Sequence, residues 1–385
     1  MNGPPGGLAR YDPALGRVPT LVAQALFFGE DWVTTEDLAI TTALEAAAPN
    51  TRLAWRKDWA VFRTWALGRA AQWFPAEGDR VRLPLLPELL VRFVQDLMEG
   101  EGGEVPRSIA TVRRYLSTLS TLHRLLDVPD PTKAAVVRNT LKARARRSGG
   151  QVQAAPLRWA EVEAIGEILP DDLAGLRDKT LLAVAHNTLA RRAELVALDV
   201  QDVEFLDDGV ATVALRPTKT DLEAEQDFRF LSPRTTALVR DWLARSGLRE
   251  GPLFPRMQCN GAACVSNGLR GSERAILSQG QRLSAAQVNV IVKLAVARLA
   301  EARDELVVGE GGWAERQRAL LAYARDYSGH SLRVGAAQDM AAVGIGTAAI
   351  LQAGGWKDER MVRRYSRKLG ALEGGMAQFF GRGVR

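Results

Sequence analysis

Eight residues, Ser148-Gly149-Gly150-Gln151-Val152-Gln153-Ala154-Ala155, carry no hydrophobic period and lie between two long stretches that do. Such a break reads as an extended connection between separately packed bodies. With 385 residues the chain is long enough for two ordinary cores. The linker is placed at 148–156, between a domain at 29–147 and a second at 157–385.

Upstream, residues 1–28 are expected to be a flexible tail. Gly3-Pro4-Pro5-Gly6-Gly7 opens it, and no sustained apolar period appears before about Thr20. A helix then starts near Asn50-Thr51, where Trp55, Trp59, Phe62 and Ala66 recur at three- and four-residue spacing. These aromatics read as core rather than as base-stacking platforms. Arg52, Arg56, Lys57 and Arg63 fall mostly off the stripe. A second helix runs from about Pro87 to Leu97. A third begins near Ser108 with Ile109, Val112, Leu116, Leu119, Leu122 and Leu126 inward, leaving Arg107, Arg113, Arg114 and Arg124 outward. A last helix carries Lys133, Arg138, Lys142, Arg144, Arg146 and Arg147 with no acid among them, a pattern suited to phosphate contact. This first domain is therefore all-helical and partly basic.

The second domain opens with Pro156-Leu157-Arg158-Trp159 and a helix through Ile168, followed by another from about Leu173. Asp207-Asp208-Gly209 is a turn signal, with strand-like residues at 210–215 and again at Phe228-Arg229-Phe230. Residues 247–281, holding Cys259 and Cys264, read as loops. Ser284 caps a helix with Val288, Ile291, Val292, Leu294 and Ala295 inward.

Composition excludes several classes. Two cysteines and three histidines supply neither a zinc ligand set nor a disulfide framework, which fits a reducing cytosol. The longest apolar stretches are interrupted by charges such as Lys293, so no membrane span is expected. Fifty-one Lys+Arg against 45 Asp+Glu give a net +6, an excess that points towards a polyanionic partner without identifying it. Gly344-Ile345-Gly346 is not a nucleotide loop, because no strand precedes it and a third glycine is missing.

One C-terminal run concentrates phosphate chemistry. Arg333 offers a planar fork suited to two oxygens of one phosphate, and His330 shares its face if the segment is helical. Trp356 adds one N–H donor, and Tyr365 is a phenol able to attack phosphorus. Taken singly these are a capping His, a surface Arg, a core Trp and a helix-end Tyr. Together, His330-Ser331-Leu332-Arg333, then Ala353-Gly354-Gly355-Trp356, then a tyrosine nine positions after the Trp resemble the C-terminal signature of the tyrosine recombinases, or phage integrases. Residues 328–341 and 352–356 resemble one member of that family nearly residue for residue.

The resemblance implies a mainly α protein: an all-helical DNA-binding domain plus an α+β catalytic domain with a small antiparallel sheet. It implies that Arg191-Arg192-Ala193-Glu194 holds the family's first catalytic arginine. A helical i, i+3 relation pairs Arg191 with Glu194, while Arg192 points about 100° away, so Arg191 is chosen. Arg216-Pro217-Thr218-Lys219-Thr220 resembles the family's hairpin lysine motif, although on local sequence alone Lys219 is an ordinary turn lysine. The implied roles follow. Tyr365 is the nucleophile, Arg191 and Arg333 clamp the phosphate, and His330 assists deprotonation. Trp356 bonds a non-bridging oxygen, Lys219 protonates the leaving 5′-oxygen, and Glu194 orients its neighbours.

Candidate DNA contacts are Arg52, Arg56, Lys57, Arg113, Arg114, Lys142, Arg144, Arg146 and Arg147. The helix after Ser284 enters the major groove in this frame. It has Ala285-Ala286-Gln287 where a base-reading arginine is expected, leaving Gln287 and Asn289 to read adenine edges. Met376, Phe379 and Phe380, at helical spacing within about 373–381, are expected to dock in a neighbouring subunit. The implied partners are double-stranded DNA with an inverted-repeat site and a homotetramer on two such sites, with no metal, cofactor, nucleotide or membrane. The expected location is cytoplasmic and nucleoid-associated. A type IB topoisomerase and a non-catalytic DNA-binding descendant are the alternatives.

Overall fold

The computed structural model describes residues 46–69, 84–100, 105–125, 128–147, 153–216, 227–259, 262–263, 276–309, 312–365, 376 and 379–380. The tail at 1–28, Lys219, Cys264 and most of the span 373–381 lie outside these. Contacts group the chain into two units, 1–152 and 153–385.

In the first unit, α1 (Pro49–Arg69), α2 (Pro87–Glu99), α3 (Ile109–Leu125) and α4 (Ala135–Arg147) pack around one core. The stripe of α1 is buried at Trp59, Phe62, Trp65 and Ala66, so its aromatics are core, as their spacing requires. Phe62 meets Phe93 edge-on at 5.0 Å. Pro87 starts α2 and Gly100, at φ +70°, ends it in the left-handed conformation glycine tolerates. Two buried polar groups are answered locally. The indole of Trp65 donates to Asp96 at 3.0 Å, and His123 accepts from the Leu85 N–H at 3.1 Å while contacting the Leu119 carbonyl at 2.7 Å.

In the second unit the helices are α5 (Trp159–Ile168), α6 (Leu173–Thr188), α7 (Arg192–Ala197), α8 (Pro233–Ser246), α9 (Ala285–Ala302), α10 (Trp313–Tyr323), α11 (Gly329–Ala342), α12 (Thr347–Gly354) and α13 (Glu359–Tyr365). β1 (Val203–Phe205), β2 (Ala211–Leu215) and β3 (Asp227–Leu231) form an antiparallel sheet in that order, with Val213 opposite both Val203 and Arg229. α6 is buried on almost every side, and Leu181, Leu182 and Val184 lie at the centre of the core.

Two expectations about strands are corrected. The presumed loops at 247–281 contain a second antiparallel sheet, β5-β4-β6, in which β4 is Pro255–Cys259, β5 is Ala262–Ala263 and β6 is Ile276–Arg282. A register shift between Pro255 and Met257, and Gly280 at φ +73°, break the alternation by which such strands are read. β1 is a further strand beyond those expected. The end of the expected linker is fixed to the second unit, because the Ala155 N–H donates to Asp326 at 3.0 Å and that of Leu157 to Ser331 at 2.9 Å.

Candidate active site

The site grows from the start of α11. Ser328, in extended conformation, caps the helix by accepting the His330 N–H at 3.2 Å, and its own N–H donates to the Ser331 hydroxyl at 2.9 Å. The helix places His330 at the solvent edge and Arg333, one turn on, in the interior. Arg333 donates to the carbonyls of Leu189 and Gly354. Leu189 presents its carbonyl from φ +49°, the left-handed end of α6, and Gly354 is the last residue of α12. Arg333 thus bridges two helix C-termini, whose partial negative charge suits a cation. Burial, and next Arg191, pull its pKa down to about 10, which still leaves it charged at neutral pH.

Arg191 and Glu194 are paired, though not through a shared helical face. Arg191 precedes α7 in extended conformation, at φ −70° and ψ 153°. Glu194 reaches back to accept its backbone N–H at 2.7 Å and its Nη1 at 2.5 Å. The pairing of Arg191 with Glu194 therefore rests on N-capping, not on helical phase. The stem of Arg192 lies beside Gly329, where a Cβ would approach its Cγ to 2.6 Å.

Tyr365 ends α13 and meets His330 across the site, its hydroxyl 2.9 Å from Nε2. Gln338 Nε2 holds the Tyr365 carbonyl at 2.9 Å. Trp356 packs against both Arg333 and Tyr365: the Arg333 guanidinium is 4.5 Å from its ring centre, and the Tyr365 ring 5.4 Å. Gly354 makes room for the indole, since a Cβ there would stand 2.3 Å from it. Burial pushes the Tyr365 phenol up, with Arg333, Arg364 and Arg191 pulling the other way. Burial also pulls His330 down, reinforced by Arg333, Arg364, Arg192 and Arg191. At neutral pH the pair is a protonated phenol beside a neutral imidazole, which sets His330 as the acceptor. Among the described residues no cluster of His, Cys, Asp and Glu is placed to hold a metal.

Several supporting residues give no signal in the sequence. Arg229 on β3 is buried and donates to Gln352 at 2.9 Å and also to Ala353 and Asp227, fixing the end of α12 just before Trp356. Asp339 on α11 accepts from Arg158 Nε at 2.6 Å, from the Trp159 N–H at 2.7 Å, and contacts His186 Nε2 at 3.1 Å. Hydrogen bonding outweighs its burial and holds its carboxyl below the usual range. An acid or arginine whose partner lies over 100 residues away leaves no local mark.

The expected DNA contacts separate into two groups. Lys57, Arg113, Lys142, Arg146 and Arg147 are exposed, and Arg52 and Arg56 are half-buried. Arg114 is instead paired with the buried Asp58, and Arg144 with Glu99. Gln287 accepts the Ser284 N–H at 3.0 Å and Asn289 accepts that of Gly329 at 2.9 Å. Reading adenine needs an amide's acceptor and donor together, so both side chains already hold a structural role for the oxygen. Met376, Phe379 and Phe380 are all exposed within the chain.

Comparison with known proteins identifies the family. A sequence profile described as the phage integrase family matches residues 156–370. The recombinase Cre of Escherichia phage P1 is 29% identical over 339 residues, covering 84% of this chain and 86% of its own. An integrase/recombinase XerD homologue of Selenomonas ruminantium is 25% identical over 331 residues, covering 83% and 82%. In fold, the Tn1549 transposon integrase, solved with transposon right-end DNA, superposes with a TM-score of 0.55 at 13% identity, over 87% of this chain and 97% of that one. With the family match spanning more than half its length, the chain belongs to the phage integrase family and is a tyrosine site-specific recombinase.

Proposed function

We propose that this recombinase cleaves and rejoins DNA through a 3′-phosphotyrosyl intermediate, with Tyr365 as nucleophile. The observation that carries this reading is the 2.9 Å contact between the Tyr365 hydroxyl and His330 Nε2, set in the field of Arg333, Arg364 and Arg191. Phosphoryl transfer is mostly positioning plus stabilisation of charge on the equatorial oxygens. A scissile phosphate beside Tyr365 brings its negative charge to Arg191 and Arg333, and Arg191 already holds Glu194 as its counter-charge. His330 takes the phenol proton as the Tyr365 oxygen bonds to phosphorus. The bond from phosphorus to the 5′-oxygen breaks, and Lys219 protonates that oxygen. A partner strand's 5′-hydroxyl then attacks the phosphotyrosine, its proton passing to Lys219 as the bond from phosphorus to Tyr365 breaks and His330 returns the phenol proton, and the exchange passes through a Holliday junction. The bond energy is kept throughout.

Around this chemistry the first unit grips double-stranded DNA through its exposed cations, Lys57, Arg113, Lys142, Arg146 and Arg147. An inverted-repeat site places two subunits side by side, and two sites give a homotetramer. The exposed Met376, Phe379 and Phe380 dock in the neighbouring subunit. The test is a nicked suicide duplex whose sequence is selected from a random pool by binding to the wild-type chain. Wild-type protein forms a covalent adduct on a denaturing gel, and Tyr365→Phe binds the duplex but forms none. An adduct persisting in that variant moves the nucleophile elsewhere.

A further inference from the structure

Asp199 lies outside the phosphate-binding set, yet its carboxylate joins two segments of the second unit that serve it. It follows the six-residue helix α7, whose other end is capped by Arg191. Oδ1 accepts from Arg282 Nη2 at 2.6 Å. The other Arg282 nitrogen, Nη1, donates to the carbonyls of Ala197 at 2.9 Å and Leu198 at 3.2 Å, closing the C-terminal end of α7. Oδ2 accepts from Arg216, which also reaches Asp202 at 3.2 Å. Asp202 in turn accepts the Asp199 backbone N–H at 2.7 Å, so both acids are fixed in one turn.

Arg216 occupies a particular place in the chain. The β2–β3 ladder ends with Leu215 opposite Asp227, so Arg216 is the first residue of this arm beyond the ladder. It is also three residues before Lys219. We infer that Asp199 is a positioning residue for protonation of the leaving group: through Arg216 it ties the arm leading to Lys219 to the helix that presents Arg191. This inference rests on the reading of Lys219 as proton donor.

The electrostatics favour order over bulk stability. Both arginines are partly exposed, at 48% and 38%, while the carboxylate is 15% exposed. Ion pairs of that exposure contribute little to folding. What they do contribute is direction: one carboxylate with a guanidinium on each oxygen fixes both side chains. Hydrogen bonds from Arg216 and Arg282 outweigh burial and keep the Asp199 carboxyl below its ordinary range, so the clamp is charged at working pH. Without that charge, Arg216 loses its tie to Arg282 through the shared carboxylate and keeps only Asp202, at 3.2 Å. Such a loss is therefore expected to cost little stability but to loosen the placing of the proton donor.

The test uses full-length protein and the selected suicide duplex, made with either oxygen or sulfur at the 5′-bridging position. A thiolate leaves without protonation, so sulfur removes the need for Lys219. Asp199→Asn and Arg216→Met are expected to slow adduct formation on the oxygen duplex roughly ten- to hundredfold, within reach of what general acid catalysis supplies. On the sulfur duplex both are expected to approach the wild-type rate, as is Lys219→Ala. Equal losses on both duplexes, or no loss on oxygen, overturn the inference, and Arg216→Met decides the matter if Asp199→Asn fails to fold. Restored Lys219→Ala beside unrestored Asp199→Asn overturns this inference alone. A Lys219→Ala protein that sulfur does not restore overturns the proton-donor reading, and the inference with it.

Discussion

Replacing Gly335 by Ala probes how closely α11 must lie against the extended segment before α5. A Cβ at Gly335 would stand 1.9 Å from the Leu157 carbonyl oxygen, 2.4 Å from its carbon and 2.9 Å from the Arg158 nitrogen. Restoring ordinary contact needs about 1.5 Å of separation. Neither side yields readily. One turn earlier the Leu157 N–H donates to Ser331 at 2.9 Å, and one turn later Asp339 holds the Trp159 N–H at 2.7 Å and Arg158 at 2.6 Å. Overpacking of this kind costs about 1–3 kcal/mol, of which helix propensity returns up to about 1. The net loss of about 0–3 kcal/mol lowers the melting temperature by about 2–4 °C per kcal/mol in a body of this size. The rate is the sharper readout. Arg333 lies two residues before Gly335, and a 1 Å misplacement of catalytic groups costs about 10²-fold. Adduct formation on the suicide duplex should therefore fall about a hundredfold while DNA binding persists. A wild-type rate would refute the claim that this contact sets the position of Arg333, whatever the melting curve shows.

Three further outcomes are expected. His123 is buried and kept below its ordinary value by desolvation, so its stabilising effect is complete above pH 6.5 and is lost as the pH falls below that towards its lowered folded value. Wild-type protein should lose more melting temperature between pH 7.5 and 5 than His123→Gln, and equal slopes would count against this. His330 is also lowered, so the acid limb of adduct formation should lie below pH 6.5, and a limb above it would contradict His330 as base. Deleting residues from Glu373 onward should spare binding of one half-site but abolish cooperative filling of the second. Three buried side chains contribute roughly 4–9 kcal/mol against about 4–15 kcal/mol for association, so docking needs the neighbours that DNA supplies. Cooperative filling by the truncated chain would refute it.

The helical stripe of the first unit and the facing of His330 and Arg333 are legible in the sequence because a period of 3.6 residues writes itself into neighbouring positions. Spacing picks out Arg191 as the partner of Glu194 but for the wrong physical reason, since an N-cap and a helical i, i+3 pair have the same spacing. Arg114 and Arg144 look like an outward basic face because their acids, Asp58 and Glu99, are 56 and 45 residues away. β4 and β6 are hidden where a bulge and a glycine interrupt alternation. Arg229 and Asp339 act over 120 residues or more, distances at which no spacing rule operates.

The supports that are hardest to read explain how this site keeps buried cations. Arg333 and Arg229 both lie in the interior, where an unpaired guanidinium is costly. Arg333 is answered by carbonyls at helix ends, Leu189 after α6 and Gly354 at the end of α12, whereas Arg229 is answered by Gln352 and Ala353 of α12 and by the Asp227 carboxylate. Carbonyl dipoles satisfy donors without cancelling net charge, as a carboxylate would. The positive charge of Arg333 beside Tyr365 is therefore preserved for a phosphate while its guanidinium stays fixed. Adding a carboxylate beside these dipoles, as in Gly354→Asp, would both displace Trp356, whose ring a Cβ there would meet at 2.3 Å, and neutralise Arg333. Such a protein should lose adduct formation even on the sulfur duplex, because its defect is in stabilising the phosphorane-like charge and not in protonating the leaving oxygen.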